Sequence, residues 1–148
     1  MPISVVTEDD LADLAPLVRA YCDFYAVAPS DDALLSFSRL LIADPKAEGV
    51  QLIARADDGR PIGFATLYWS LSSLSASRIA IMDDLFVHPD VRGTGVAEEL
   101  IEACRARAQE RGATALTWQT AQTNLRAQRL YERVGARRTE WVDYSLDT

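Results

Sequence analysis

Apolar residues recur along the chain at two periods, and the switches between them mark its elements. Residues 3–6 alternate weakly, as a short strand does, and end at Thr7, a side-chain cap followed by the acids Glu8, Asp9 and Asp10. Leu11, Leu14, Val18, Tyr21, Cys22 and Tyr25 then recur at helical steps, which predicts a helix with one apolar face that ends before Pro29. Pro16 falls inside it and predicts a kink, because proline has no amide for the preceding turn. Ser30, between Pro29 and Asp31, caps a second helix that carries Leu34, Leu35, Phe37, Leu40 and Leu41 and stops near Asp44 and Pro45.

The pattern turns strand-like in residues 49–55 and 61–69, which flank Asp57, Asp58, Gly59 and Arg60. Asp-Gly between two such runs predicts a hairpin and therefore an antiparallel pair. The serine-rich residues 70–77 read as a loop or strand end, and residues 78–87 as a third long strand closed by His88, a turn residue, and Pro89. Val96, Leu100, Ile101, Cys104 and Ala108 return to helical spacing over residues 96–109, with Gly112 as the stop. A short buried strand at 115–120, a helix over 124–134 stopped by Gly135, and a final strand at 141–146 follow. The order β-α-α-β-β-β-α-β-α-β predicts an α/β (α+β) fold, with a mixed, mostly antiparallel sheet flanked by helices on both faces. No linker or repeat interrupts residues 1–148, so one domain with one core is expected.

Charge narrows the partners. The formal net charge of -7 disfavours nucleic-acid phosphates and favours a cationic molecule. No apolar run is long enough to span a membrane and no basic stretch precedes an apolar leader, so a cytoplasmic protein without membrane association is expected. Cys22 and Cys104 fall in separate helices with no Cys or His at ligand spacing, which reads as two buried thiols and no metal site.

The most informative segment follows the third long strand. Arg92, Gly93, Thr94, Gly95, Val96 and Ala97 turn directly into a helix. Such a turn gathers unpaired backbone N–H groups in one concavity, where the helix dipole adds positive potential, so it suits a phosphate. The glycines let oxygens approach the backbone, and Arg92 adds a fixed cation. The segment lacks the Lys-Ser/Thr pair of a Walker A loop and the third glycine of the dinucleotide fingerprint.

Arg92, Gly95 and Ala97 fill the specified positions of the R/Q-x-x-G-x-G/A signature, and Leu85, Phe86, Val87, His88 and Pro89 look like the strand end that precedes it. Downstream, Asn124, Ala127, Tyr131 and Gly135 match N-x-x-A-x-x-x-Y-x-x-x-G. On these residues the chain resembles the GNAT superfamily of acyl-CoA-dependent N-acetyltransferases. The resemblance implies acetyl-CoA as co-substrate, with its pyrophosphate on residues 92–97 and its pantetheine arm along the backbone of Leu85, Phe86 and Val87. One of those amides would hydrogen-bond the thioester carbonyl. It also implies that Tyr131 protonates the departing thiolate and that Asn124 and Ala127 contact the cofactor's arm.

An attacking amine must lose a proton, and the resemblance to polyamine-type members, which carry an acidic pair here, makes Asp83 and Asp84 the candidate bases. Because adjacent strand residues face opposite sides, only one of the two is expected to reach the reaction, and the family match favours Asp83, on the face of Leu85 and Val87. The acceptor pocket implied by the family lies between the first two helices and the splayed strands, with Tyr21, Asp23, Tyr25, Asp31, Asp32 and Trp69 as candidate walls suited to a small cationic amine. A protein lysine or N-terminus as target, and a non-catalytic acyl-CoA-binding module, stay open on the sequence. The edge strand at 141–146 suggests a homodimer.

Overall fold

A strand gains stability only from neighbours, and the computed structural model, which describes residues 2–148, shows where each strand finds them. The residues form two compact units, one running through Trp118 and one from Gln119 onward. In the first unit β1 (Ile3–Val5), β2 (Gly49–Arg55), β3 (Pro61–Ser72), β4 (Ser77–Val87) and β5 (Leu116–Thr117) lie in that order in one sheet. The first four pair antiparallel, and β5 runs parallel to β4, opposite Ala80 and Ile81. The mixed, mostly antiparallel sheet is therefore as the element order implies.

Ile53, Phe64 and Phe86 are register partners across three strands and pack against Leu11, Leu14 and Leu17 of α1 (Leu11–Phe24). On the opposite face α3 (Val96–Glu110) buries Val96, Leu100, Ile101, Cys104 and Ala108. It comes so close that a Cβ on Gly63 would lie 3.1 Å from the Leu100 side chain. Helices thus cover both faces, and each fully buried Leu or Phe contributes about 1.5–3 kcal/mol. Cys22 and Cys104 are buried and unbridged.

Local signals set the helix ends. The Thr7 amide donates to the Asp10 carboxylate at 2.9 Å, closing a 3₁₀ turn over Glu8–Asp10 that leads into α1. α1 runs through Pro16 as one element. Arg55 at the end of β2 donates to Asp10 at 2.8 Å and Asp13 at 2.6 Å, fastening the sheet to the start of that helix. α2 (Asp31–Ala43) is capped by the Ser30 hydroxyl, which accepts the Ala33 amide at 3.1 Å.

Two expected strands are corrected. The run at 115–120 shortens to Leu116–Thr117, the stretch that finds hydrogen-bond partners on β4. Residues 141–146 form no strand: Trp141, Val142, Tyr144 and Leu146 are exposed, and no ladder joins this segment to a neighbour. A side-chain bond holds it instead, from Gln119 Nε2 to Asp143 Oδ2 at 2.6 Å. The second unit's helix is α4 (Leu125–Arg133), capped by Asn124, whose Oδ1 accepts the Ala127 amide at 3.2 Å. Among the described residues no helix is long and apolar enough to cross a membrane, and no cluster of His, Cys, Asp and Glu is arranged to hold a metal.

Candidate active site

β4 breaks its own alternation where the acids sit. Thr66 pairs with Asp84, but its neighbour Leu67 pairs with Met82, so Asp83 is the extra residue of a β-bulge. Both carboxylates thereby serve the same side of the sheet. Asp83 Oδ2 accepts the Tyr68 hydroxyl at 2.9 Å, and the Tyr68 ring meets Phe37 of α2 edge-on. The Tyr21 hydroxyl of α1 donates to the Asp83 carbonyl oxygen at 3.4 Å and feels the Asp84 carboxylate nearby. The expectation that only one acid reaches this layer, with Asp83 on the face of Leu85 and Val87, is overturned by the bulge, because strict alternation holds only in an unbroken ladder.

Their surroundings separate the two acids. Asp83 is exposed, whereas Asp84 is half-buried and its carboxyl is raised above the usual carboxylate range by desolvation, reinforced by the like charge of Asp83. The neighbouring Thr66 and Tyr21 hydroxyls oppose that rise. Burial, together with the nearby carboxylates, also raises the phenols of Tyr21 and Tyr68. Both phenols therefore remain protonated donors at neutral pH. An exposed carboxylate beside one of raised proton affinity can attract an ammonium group and then accept its proton.

The same strand leads into the anion site. Past Ile81 the sheet gives β4 a partner only on the β3 side, so the backbone of Leu85, Phe86 and Val87 presents a second edge without a strand. Arg92 Nε donates to the Val87 carbonyl at 3.2 Å and ties the turn to the strand end. The Thr94 hydroxyl donates to the Val91 carbonyl, and His88 Nδ1 accepts the Asp90 amide, which confirms His88 as a turn residue. Gly93 and Gly95 have φ of 77° and 92°, and a Cβ on either would meet no atom within 4 Å. α3 starts at Val96 with no side-chain cap from Gly95, and the first turn of a helix directs backbone N–H groups outward from its end. This donor set fits the pyrophosphate of coenzyme A.

The other sequence-predicted residues divide. Tyr25 meets the Tyr21 ring edge-on at 5.0 Å. Asp31 pairs with Arg19 at 2.6 Å and lines a cavity of about 430 Å³ between α1 and α2, whose walls include neither Asp83 nor Asp84. Trp69 points to the face opposite Tyr68, where it donates to the Pro45 carbonyl at 2.7 Å under the Arg111 guanidinium, so it is no wall of the acidic site. Asn124, Ala127 and Tyr131 belong to the second unit, with Tyr131 half-buried on α4. Sequence reasoning missed Thr66 and Tyr68; their signal is a run of polar positions on the same face as Phe64, which an apolar strand would not carry.

The acetyltransferase (GNAT) family model matches residues 14–136, across both units. YhfO of Bacillus subtilis (strain 168), described as an uncharacterized N-acetyltransferase, is 37% identical over 148 residues, spanning 99% of this chain and 97% of its own. The D-amino-acid N-acetyltransferase HPA3 of Saccharomyces cerevisiae is 36% identical over 118 residues, 80% of this chain and 72% of that protein. The crystal structure of a probable acetyltransferase superposes with a TM-score of 0.87 at 33% identity, covering 100% of this chain and 98% of that one. Sheet, glycine turn and family match agree, and the chain belongs to the GNAT family as an acyl-CoA-dependent N-acetyltransferase.

Proposed function

We propose that this chain moves an acetyl group from acetyl-CoA to the amine of a small cationic molecule, by direct attack in a ternary complex. The observation that carries the reading is the bulge that places Asp83 and Asp84 on one side of the sheet beside Tyr21 and Tyr68. Arg92 and the backbone of Gly93, Thr94, Gly95, Val96 and Ala97 hold the pyrophosphate, and the open edge of Leu85, Phe86 and Val87 holds the pantetheine arm. Bound acetyl-CoA supplies an activated thioester carbonyl. An amide in that edge stabilises the charge that develops on the carbonyl oxygen.

Asp83 attracts the substrate's ammonium group, and Asp84, with its raised proton affinity, takes the proton. The base is thus assigned to Asp84 rather than Asp83. As the carbon–nitrogen bond forms and the carbon–sulfur bond breaks, the Tyr131 hydroxyl gives its proton to the leaving sulfur, while Asn124 and Ala127 hold the arm. Binding alone orients the reactants. HPA3's description as a D-amino-acid acetyltransferase supports a small amine, but the acidic pair here would repel a substrate carboxylate. Amines that lack a carboxylate therefore fit the site better.

Acetyl-CoA-dependent thiol release, screened against di- and polyamines, aminoglycosides, amino acids and peptides, tests it. Release with the cationic small amines is expected. Release with peptides alone would transfer the reading to a protein target, and no release with any amine would overturn it.

A further inference from the structure

Gln51, Thr66 and Asp84 form a polar row across β2, β3 and β4: Gln51 pairs with Thr66, and Thr66 with Asp84. The row lies beside Ile53, Phe64 and Phe86 on the face that α1 covers. Gln51 is 4% exposed and Thr66 0%. A buried amide and hydroxyl are unfavourable at such positions unless hydrogen-bonded, and a pair of apolar side chains would pack there without that demand. The side-chain oxygen, Gln51 Oε1, is in fact left without a partner. A polar row kept in this place calls for a role beyond stability.

The row has a direction. Gln51 Nε2 donates to Thr66 Oγ1 at 3.2 Å. A hydroxyl has one proton, and with its oxygen already accepting from Gln51 that proton is available to the carboxylate of Asp84, the register partner of Thr66 on the same face, whose proton affinity the Thr66 hydroxyl lowers. With the Gln51 amide turned over, its oxygen would compete for that proton. The titratable groups facing Asp84 are Tyr21 and Cys22 from α1, Tyr68 from β3 and Asp83 on its own strand.

We infer that Gln51 and Thr66 are positioning residues that orient and charge-stabilise the Asp84 carboxylate, setting the pH range over which it accepts a proton. The inference rests on the reading of Asp84 as the base only for its consequence in turnover; the effect on the carboxyl itself does not. Neither residue touches substrate. Without the Thr66 donor, desolvation and Asp83 act on Asp84 with only Tyr21 opposing them.

The test is a carboxyl-carbon NMR titration of the full chain, with the Asp84 resonance assigned by its loss in Asp84→Asn. In Thr66→Val, which keeps the shape and removes the donor, the midpoint should rise by about one pH unit, and Thr66→Ser should restore it. An unmoved midpoint in Thr66→Val overturns the inference. Should that variant fail to fold, Gln51→Leu carries the test, with a smaller upward shift expected and an unmoved midpoint again overturning it. The acid limb of kcat/KM, recorded with the best amine, separates the two readings. If the NMR midpoint moves and the limb does not, the row positions Asp84 but Asp84 is not the base.

Discussion

Gly95→Ala separates backbone strain from ligand binding at the phosphate turn. Gly95 sits at φ 92° and ψ 1°, outside the range an L-residue adopts without strain, yet an added Cβ would meet no atom within 4 Å. The substitution therefore brings strain without a clash, a cost of about 1–2 kcal/mol. For a chain of 148 residues that is a fall in Tm of roughly 3–8 °C. Gly59, in the β2–β3 hairpin, has φ 87° and equally open surroundings, so Gly59→Ala is a control that should lose comparable stability. Under the proposed function, a methyl group at Gly95 and not at Gly59 would enter the space of a phosphate. Losing charge-assisted bonds there should weaken coenzyme A binding about 10- to 100-fold. Thermal unfolding by circular dichroism reads the first effect and titration calorimetry with coenzyme A the second. If Gly95→Ala destabilises like Gly59→Ala and still binds coenzyme A as tightly as the parent, the phosphates lie elsewhere.

Other outcomes follow from the same geometry. Tyr131→Phe should lower kcat more than it weakens coenzyme A binding, measured by steady-state kinetics beside calorimetry; unchanged kcat would mean that the leaving sulfur takes its proton from another source. Asp84 has a folded pKa above its unfolded value, so its contribution to stability is present below pH 3.8 and lost as pH rises through the folded pKa. Asp84→Asn should therefore leave stability equal or higher at pH 7 by urea unfolding, while turnover falls; a loss of stability would show that the charge is better solvated than its burial implies. Arg55→Met should cost about 1–2 kcal/mol by the same assay, since it removes bonds to Asp10 and Asp13. Asp10 is depressed below its ordinary value, first by the Thr7 amide and also by Arg55, so this stabilisation is present above pH 3.8 and lost as pH falls through the folded pKa. The cost of Arg55→Met should shrink over that acid range.

Much of the fold was legible because its signals are local. Ser30 and Asn124 cap helices with their own side chains, and Asp58-Gly59 turns the hairpin whatever the rest of the chain does. The phosphate turn was legible for the same reason, since two glycines and an arginine between a strand and a helix define it. Features that depend on a partner strand were not. The bulge at Asp83 exists only in the register between β3 and β4, so alternation along β4 alone placed the two acids on opposite faces. Residues 141–146 carry a strand-like pattern but find no ladder, and 115–120 find one for only two residues. Trp69 was misplaced because its aromatic character suggested a cation wall, while its position next to Tyr68 sends it to the other face.

The proposed reaction passes the acetyl group directly from acetyl-CoA to a small amine. Incubating the chain with isotopically labelled acetyl-CoA and a cationic amine, then analysing amine and protein separately by mass spectrometry, tests it most directly. Label on the amine, none on the chain, and its loss in Asp84→Asn is the predicted result. Label retained covalently on the chain, or absent from every small amine and present on peptides, would rule out direct transfer to a small amine.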